Sequence, residues 1–422
     1  MPKNPSLLPA GVRISDRLAV GCFQRSFPKD AVLGALARQG RETQRERELP
    51  NEAVVYLSMA LAIYRDASQP EVLRCVAEGL SWLNPRRELK ITGRSGISQA
   101  RTRVGWQPLK DLFETCAKPL AKPDAQGAFY RGRRLVALDG TSFNLDDCSE
   151  NEEAFGRPAN QLGAGSYPQA RLVGLVECGT HALFAAEIGR YADSELTLAV
   201  PVIQRSLKPG MLCLADRLFA SYHLVKMSKE FGAEILCRCR MDRRLPREVE
   251  LQDGSFLSTI YSSDDRSREK PLRVRIIEYD VVNTQSGEVS PFRLMTTLLD
   301  PSEAPAQELA ELYPERWEFE ITLDELKVHL NDNVKTLRSK TPDLVRQEIY
   351  GLIMAHYAIR AIMYDAADSC KLDPDELSFV HSVRVVRRKL PGFGNFSPSS
   401  IRRKFEARSL ARARLLEQGA LK

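Results

Sequence analysis

Over residues 1–130, apolar positions recur every three to four residues, the spacing of helices that bury one face. DAVLGALARQG (30–40) is amphipathic and stops at Gly40, whereas EAVVYLSMALAIYRD (52–66), opened by Pro50, is apolar almost throughout and predicts a buried helix. EVLRCVAEGLSWL (71–83) follows Pro70, and another amphipathic helix is expected over 107–120. From residue 134 the period changes. RLVALDGTSF (134–143), QARLVGLVECG (169–179), HALFAAEIG (181–189), MLCLADR (211–217) and AEILCRCR (233–240) are short, nearly continuous apolar runs, as buried strands require. Helical spacing returns at 194–207 and 221–232. Strands first, then alternating strands and helices, indicate an α/β domain with a mixed sheet. Residues 241–300 carry a Gln-Asp-Gly-Ser hairpin signal followed by RVRIIEYDVV and PFRLMTTLL, a β-rich insertion, and helices resume over 303–330 and 342–366.

Composition narrows the class. The chain has 422 residues, 43% hydrophobic and 27% charged, enough for a large core and too long for one ordinary domain. No run approaches the roughly 20 apolar residues of a membrane span, and MPKNPSLLPAGVRISDRL lacks a signal region, so a cytoplasmic protein is expected. The nine cysteines never fall in a CxxC spacing and the five histidines form no ligand motif, which argues against disulfide and zinc frameworks. Charge is uneven. Residues 1–130 hold 20 basic against 13 acidic side chains, 131–383 hold 30 against 40, and 384–422 hold 11 against 2. A basic front and tail around an acidic middle fit a phosphate-binding protein whose centre gathers carboxylates, and equally a solvated surface with a disordered tail. Within the basic stretch 85–106, the glycine turn before SQARTRV has the form of a helix-turn-helix start, which makes Arg101 and Arg103 candidate DNA contacts.

Three carboxylates stand out. Asp139 is read as the end of the first buried strand, before Gly140-Thr141, and Asp216 as the end of the strand in CLADR. A carboxylate there is costly unless capped, paired or bound to a metal, and strand ends are where α/β sheets hold ligands. The third lies in YPERWEFEITLDELK (313–327). Wound as a regular α-helix at about 100° per residue, Arg316, Glu320 and Lys327 fall within about 60° of Tyr313. This polar stripe runs between two apolar ones, Phe319-Leu323-Leu326-Leu330 and Trp317-Ile321-Val328, so it should face a cleft; Glu318, Thr322, Glu325 and His329 take the opposite face. Asp324 shares the inward face and stays open as the alternative carboxylate.

The spacing Tyr313-x2-Arg316-x3-Glu320-x6-Lys327 resembles the Y-x2-R-x3-E-x6-K signature of DDE transposases of the insertion sequence 4 family. LDGT at Asp139 and LADR at Asp216 resemble that family's two aspartate blocks, and the likeness extends through the N-terminal helices and to TLRSKTPDLVRQEIYGLIMAHYAIR near the C-terminus. The resemblance implies a ribonuclease-H-like mixed-sheet core (131–240 and 301–370), interrupted by the β-rich insertion (241–300), preceded by an all-α domain that binds DNA ends (1–125) and followed by a basic tail (371–422). Its catalytic and metal-holding residues would be Asp139, Asp216 and Glu320, with two Mg²⁺ ions for which Mn²⁺ substitutes. Arg316 and Lys327 would hold phosphates, Tyr313 would hydrogen-bond the DNA strand, and Trp317 would stack on a base or pack in the core. Terminal inverted repeats and target DNA are the implied substrates, and a homodimer on paired ends the implied assembly.

Two departures accompany the likeness. Leu218 stands where relatives usually carry glycine after the Asp-Arg pair, and the insertion has no Trp, offering Phe256, Tyr261, Tyr279 or Phe292 for a base-holding role. Two other readings share these residues: a metal-dependent nuclease that cuts without joining, and a DNA-binding derivative without catalysis.

Overall fold

The computed structural model describes residues 16–43, 48–80, 92–160, 163–265, 267–282, 287–331 and 335–388. The basic tail from 389 and the start of the 85–106 segment lie outside the described residues.

Among the described residues six helices come first: α1 (Asp16–Ser26), α2 (Lys29–Arg38), α3 (Asn51–Ile63), α4 (Gln69–Leu80), α5 (Arg94–Val104) and α6 (Gln107–Cys116). The strands follow as β1 (Phe129–Tyr130), β2 (Arg133–Asn144), β3 (Ala159–Asn160), β4 (Gly163–Ala164), β5 (Gln169–Glu177), β6 (Ala182–Arg190), β7 (Met211–Ala215) and β8 (Glu234–Arg238). Between them lie α7 (Ser149–Phe155), α8 (Glu195–Ser206) and α9 (Tyr222–Glu230). The insertion supplies β9 (Val249–Glu250), β10 (Phe256–Ile260), β11 (Leu272–Val282) and β12 (Val289–Thr296), before α10 (Ala306–Leu312), α11 (Glu318–Asp324), α12 (Pro342–Cys370) and α13 (Phe379–Arg388).

One sheet organises the molecule, in the order β6-β5-β2-β7-β8-β12-β11-β10-β9. The three long strands β2, β5 and β6 pair antiparallel, and β7 and β8 then add in parallel on the other side of β2. This is the strand order of a ribonuclease-H-like core. The insertion does not fold apart from it: β12 pairs antiparallel with β8 through Met295 and Cys237, so the hairpin strands extend the same sheet. The expected Gln-Asp-Gly-Ser turn joins β9 to β10.

The apolar α3 is buried because it lies against α12, which is itself buried over most of its length. Their approach is close enough that a β-carbon at Gly351 would stand 2.5 Å from the Ser58 carbonyl oxygen. The N-terminal helices and the sheet share one continuous hydrophobic core. Among the described residues no helix is long and apolar enough to cross a membrane.

Candidate active site

Strand β2 continues through Asp139 to Asn144, so Asp139 does not end its strand as its sequence context suggested. The antiparallel partner β5 keeps pairing from Asp139↔Gly174 to Asn144↔Gln169. What ends at this point is the parallel pairing with β7, at Leu138↔Ala215. Asp139, still on β2, and Asp216, the first residue after β7, come next and emerge side by side, since neighbouring strands lie about 4.8 Å apart. Asp139 Oδ1 accepts the Gly140 N–H at 2.7 Å, and Asp216 Oδ1 caps the following turn by accepting Leu218 N–H at 2.8 Å.

The helical stretch carrying Glu320 is not a regular α-helix. Tyr313–Trp317 is a 3₁₀ turn containing Pro314, α11 covers seven residues, and Glu325–Leu330 is wound as a π-helix. Proline removes a backbone donor and helps to break the α pattern, and the Arg316 guanidinium lies over the neighbouring Trp317 ring at 5.0 Å. The inward stripe still converges. Arg316 Nη1 donates to Asp139 Oδ2 at 2.9 Å and Nη2 to Glu320 Oε1 at 3.0 Å, so one guanidinium joins the strand carboxylate to the helix carboxylate. Lys327 Nζ donates to Thr141 Oγ1, two residues beyond Asp139 on the same strand. Asp324 points away and pairs with His329 at 3.0 Å on the surface, which separates it from the site.

Three sequence expectations are corrected here. Tyr313 is buried, and its hydroxyl donates to the Ala215 carbonyl at 3.1 Å, so it fixes the strand end that carries Asp216 rather than presenting itself to DNA. Of the two apolar stripes only Phe319-Leu326-Leu330 is buried, with Leu323 packed against the same core; Trp317 is 56% and Ile321 48% exposed. In their place Glu318, Thr322 and Glu325 are buried. Remote partners make this possible: Glu325 pairs with Arg360 and lies 2.9 Å from His356 Nε2, while Glu318 accepts the Gly179 N–H. Burial alone would raise the Glu325 pKa, but Arg360 first, then His181 and His356, hold it well below the usual carboxylate range. The third correction concerns α5. Arg101 is buried, donating through Nε to Gln347 Oε1 at 2.8 Å, and Arg103 is committed to Asn51 Oδ1 at 2.9 Å and Leu49 O at 2.8 Å. Both tie α5 to its neighbours, and the exposed positions of that helix are instead Arg94, Ser95, Ser98, Gln99 and Thr102.

Of the aromatic candidates in the insertion, Phe256 is a core residue, while Tyr279 and Phe292 pack on each other and Phe292 on Tyr313, with centroids 5.3 and 5.7 Å apart. Arg268 lies over the Tyr261 ring at 5.4 Å. Sequence reasoning passed over two features. Arg217, Leu218, Arg238, Arg240 and Arg293 line a cleft between the Asp216 turn and the insertion, with Arg238 over the Phe292 ring. Glu195 opens α8 directly beside Gly140. In sequence it reads only as a first-turn acid after the Ser194 cap, an ordinary helix start.

The electrostatics are those of too much negative charge for one arginine. Burial raises the Asp139 pKa to about 6, the charges of Asp216 and Glu195 add to that, and the Gly140 N–H and Arg316 oppose it. An all-oxygen donor set with uncompensated charge fits a hard divalent cation, and the Arg316 guanidinium stands in for part of that charge.

Comparison with known proteins places the chain in a family. The chain is 29% identical over 376 residues, 88% of its length and 83% of the relative's, to the Escherichia coli (strain K12) transposase InsG for insertion sequence element IS4. A solved piggyBac transposase synaptic complex with hairpin DNA aligns with a TM-score of 0.45 at 13% identity, covering 87% of this chain and 79% of that one. Residues 17–114 match the insertion element 4 transposase N-terminal family and residues 130–358 the transposase DDE domain family. With the DDE match spanning more than half of the chain and the N-terminal family match preceding it, this protein belongs to the DDE transposases of the insertion sequence 4 family, metal-dependent enzymes that cleave and transfer DNA strands.

Proposed function

We propose that Asp139, Asp216 and Glu320 are the catalytic carboxylates of this transposase and would hold two Mg²⁺ ions, with Mn²⁺ able to replace them. The observation that carries the reading is the shared guanidinium of Arg316, which reaches Asp139 across 177 residues of sequence and holds Glu320 at the same time. Bound metal supplies an activated oxygen nucleophile and relieves charge on the leaving oxygen in phosphodiester cleavage and strand transfer. Arg316 orients the two carboxylates and offers its charge to a phosphate. Lys327, half-buried beside Thr141, is placed for a second phosphate, and burial lowers its pKa. Tyr313 acts through Ala215 by fixing Asp216. Trp317, exposed beside Arg316, is the side chain that stacks on a base.

The basic cleft of Arg217, Arg238 and Arg240 continues from Asp216 and suits the DNA backbone. In the helical region 1–125 the exposed face of α5, with Arg94, Ser98 and Gln99, takes over the terminal-repeat contact first assigned to Arg101 and Arg103. Residues 131–240 with 301–370 form the catalytic unit, 241–300 its insertion and 371–422 the tail of a cytoplasmic protein that works as a homodimer on paired ends.

Incubation with Mg²⁺ and DNA carrying the element's terminal repeats tests the reading. Joined products are expected, whereas cut products alone indicate a nuclease and a gel shift alone an inactive binder. Replacing Asp139, Asp216 or Glu320 by alanine should lower cleavage at least ~10³-fold with DNA binding retained, and Asp324→Ala should cut normally. A cutting Glu320→Ala variant beside a dead Asp324→Ala variant would reverse the assignment.

A further inference from the structure

We infer that Glu195 is a fourth metal-holding carboxylate of the catalytic site, an inference that rests on the reading of Asp139 and Asp216 given above. Three observations converge on it. The Ser194 side chain caps α8 by accepting the Thr197 N–H at 3.1 Å, which fixes Glu195 as the first helical residue. The backbone beside Asp139 has been cleared for it. A β-carbon at Gly140 would stand 2.6 Å from Glu195 Cδ and 3.0 Å from Oε1, so only glycine lets this carboxylate lie against the strand immediately after Asp139. Finally, the Glu195 carboxylate lies within the field of the Asp216 charge and itself acts on Asp139, yet among the described residues it accepts no hydrogen bond and forms no ion pair at contact distance.

A half-buried anion set against two other anions is unfavourable unless something cationic joins them. Arg171 attracts Glu195 without contacting it, and Arg316 is engaged by Asp139 and Glu320. The arrangement therefore collects oxygen ligands on two sides of Asp139: Asp216 from the neighbouring strand and Glu195 from the start of α8. That set matches a hard divalent ion, which takes carboxylate oxygens and retains water for the rest of its shell.

Mn²⁺ binding to the full chain, measured by titration calorimetry without DNA, separates this role from packing. Glu195→Gln keeps the shape and removes the charge, and should weaken Mn²⁺ binding about tenfold while the thermal midpoint of the metal-free protein stays level or rises. It should also raise the Mn²⁺ concentration needed for half-maximal cleavage. Gly140→Ala displaces the carboxylate without neutralising it and should weaken Mn²⁺ binding in the same way. If Glu195→Gln binds Mn²⁺ as the parent does while Asp139→Asn has lost it, the fourth ligand is wrong and the triad stands. If Asp139→Asn binds and cuts normally, the triad itself has failed.

Discussion

Arg316 is bonded to Asp139 through Oδ2, an oxygen that a metal ion would also use. The arginine is thus both a support and a competitor. Arg316→Ala should bind Mn²⁺ more tightly than the parent, because a neighbouring positive charge is gone, while cleaving DNA about 100-fold more slowly because the carboxylates and the phosphate lose their shared anchor. Lysine cannot reproduce the planar fork and should restore only part of the rate. Calorimetry and single-turnover cleavage measure the two effects separately. Weaker Mn²⁺ binding in the alanine variant would show that Arg316 organises the metal site rather than competing with it.

The back of the glutamate-bearing helix is held by charge. Glu325 is buried between Arg360, His356 and His181, and Glu318 anchors the same segment to the β5–β6 turn. Removing one member of a buried pair leaves the other uncompensated, at a cost of about 3–5 kcal/mol. Glu325→Gln should therefore lower stability to urea by that order and loosen Glu320, reducing the cleavage rate at saturating metal. A variant with parental stability would mean that water reaches Arg360 readily.

Arg101 provides a direct contrast between sequence and structure. Its position in a basic, glycine-led helix suggested DNA contact, but it bonds to Gln347, whose amide in turn donates to the Arg101 and Gly105 carbonyls. Arg101→Ala should cost about 2–4 kcal/mol of stability through the buried polar groups left unpaired, with terminal-repeat affinity of the folded protein unchanged. Arg94→Ala, on the exposed face, should do the reverse, weakening DNA binding and flattening its salt dependence. Binding isotherms at two salt concentrations, with urea melts on the same samples, decide the matter.

This contrast marks what the residues reveal by themselves. The sheet strands were legible because each is a short apolar run bounded by turn residues, and the candidate site because two aspartates follow such runs while Arg316 and Glu320, which share a guanidinium bond in the fold, are four apart on a helical segment. Burial of Glu318, Thr322 and Glu325 was not legible, since it depends on His181, His356 and Arg360, which only the folded sheet and α12 bring near. The exposure of Trp317 and Ile321 was missed for the same reason: apolar character alone cannot tell a packed face from one left for a ligand. Glu195 escaped notice because a helix-opening acid is common, and its meaning rests on a missing β-carbon 55 residues earlier.

Asp139 also links stability to pH. Its carboxyl has an ordinary value of 3.8 and is raised to about 6 in the fold, first by burial and then by the Asp216 and Glu195 charges. A carboxyl raised on folding binds its proton more tightly in the native state, so the stabilisation is complete below about pH 4 and is lost as pH rises through about 6. The shift corresponds to about 3 kcal/mol. Metal-free Asp139→Asn should therefore melt higher than the parent at pH 8, with the difference shrinking towards pH 4, even though it cannot cut DNA. Divalent metal should raise the parent's midpoint at pH 8 and leave the asparagine variant nearly unmoved, because binding to the folded state stabilises it. Cleavage at limiting Mg²⁺ should in turn climb with pH as Asp139 ionises. Equal melting of the two metal-free proteins at pH 8 would mean that Asp139 is not strained by its neighbours' charge, and the electrostatic case for a cation at this site would fall with it.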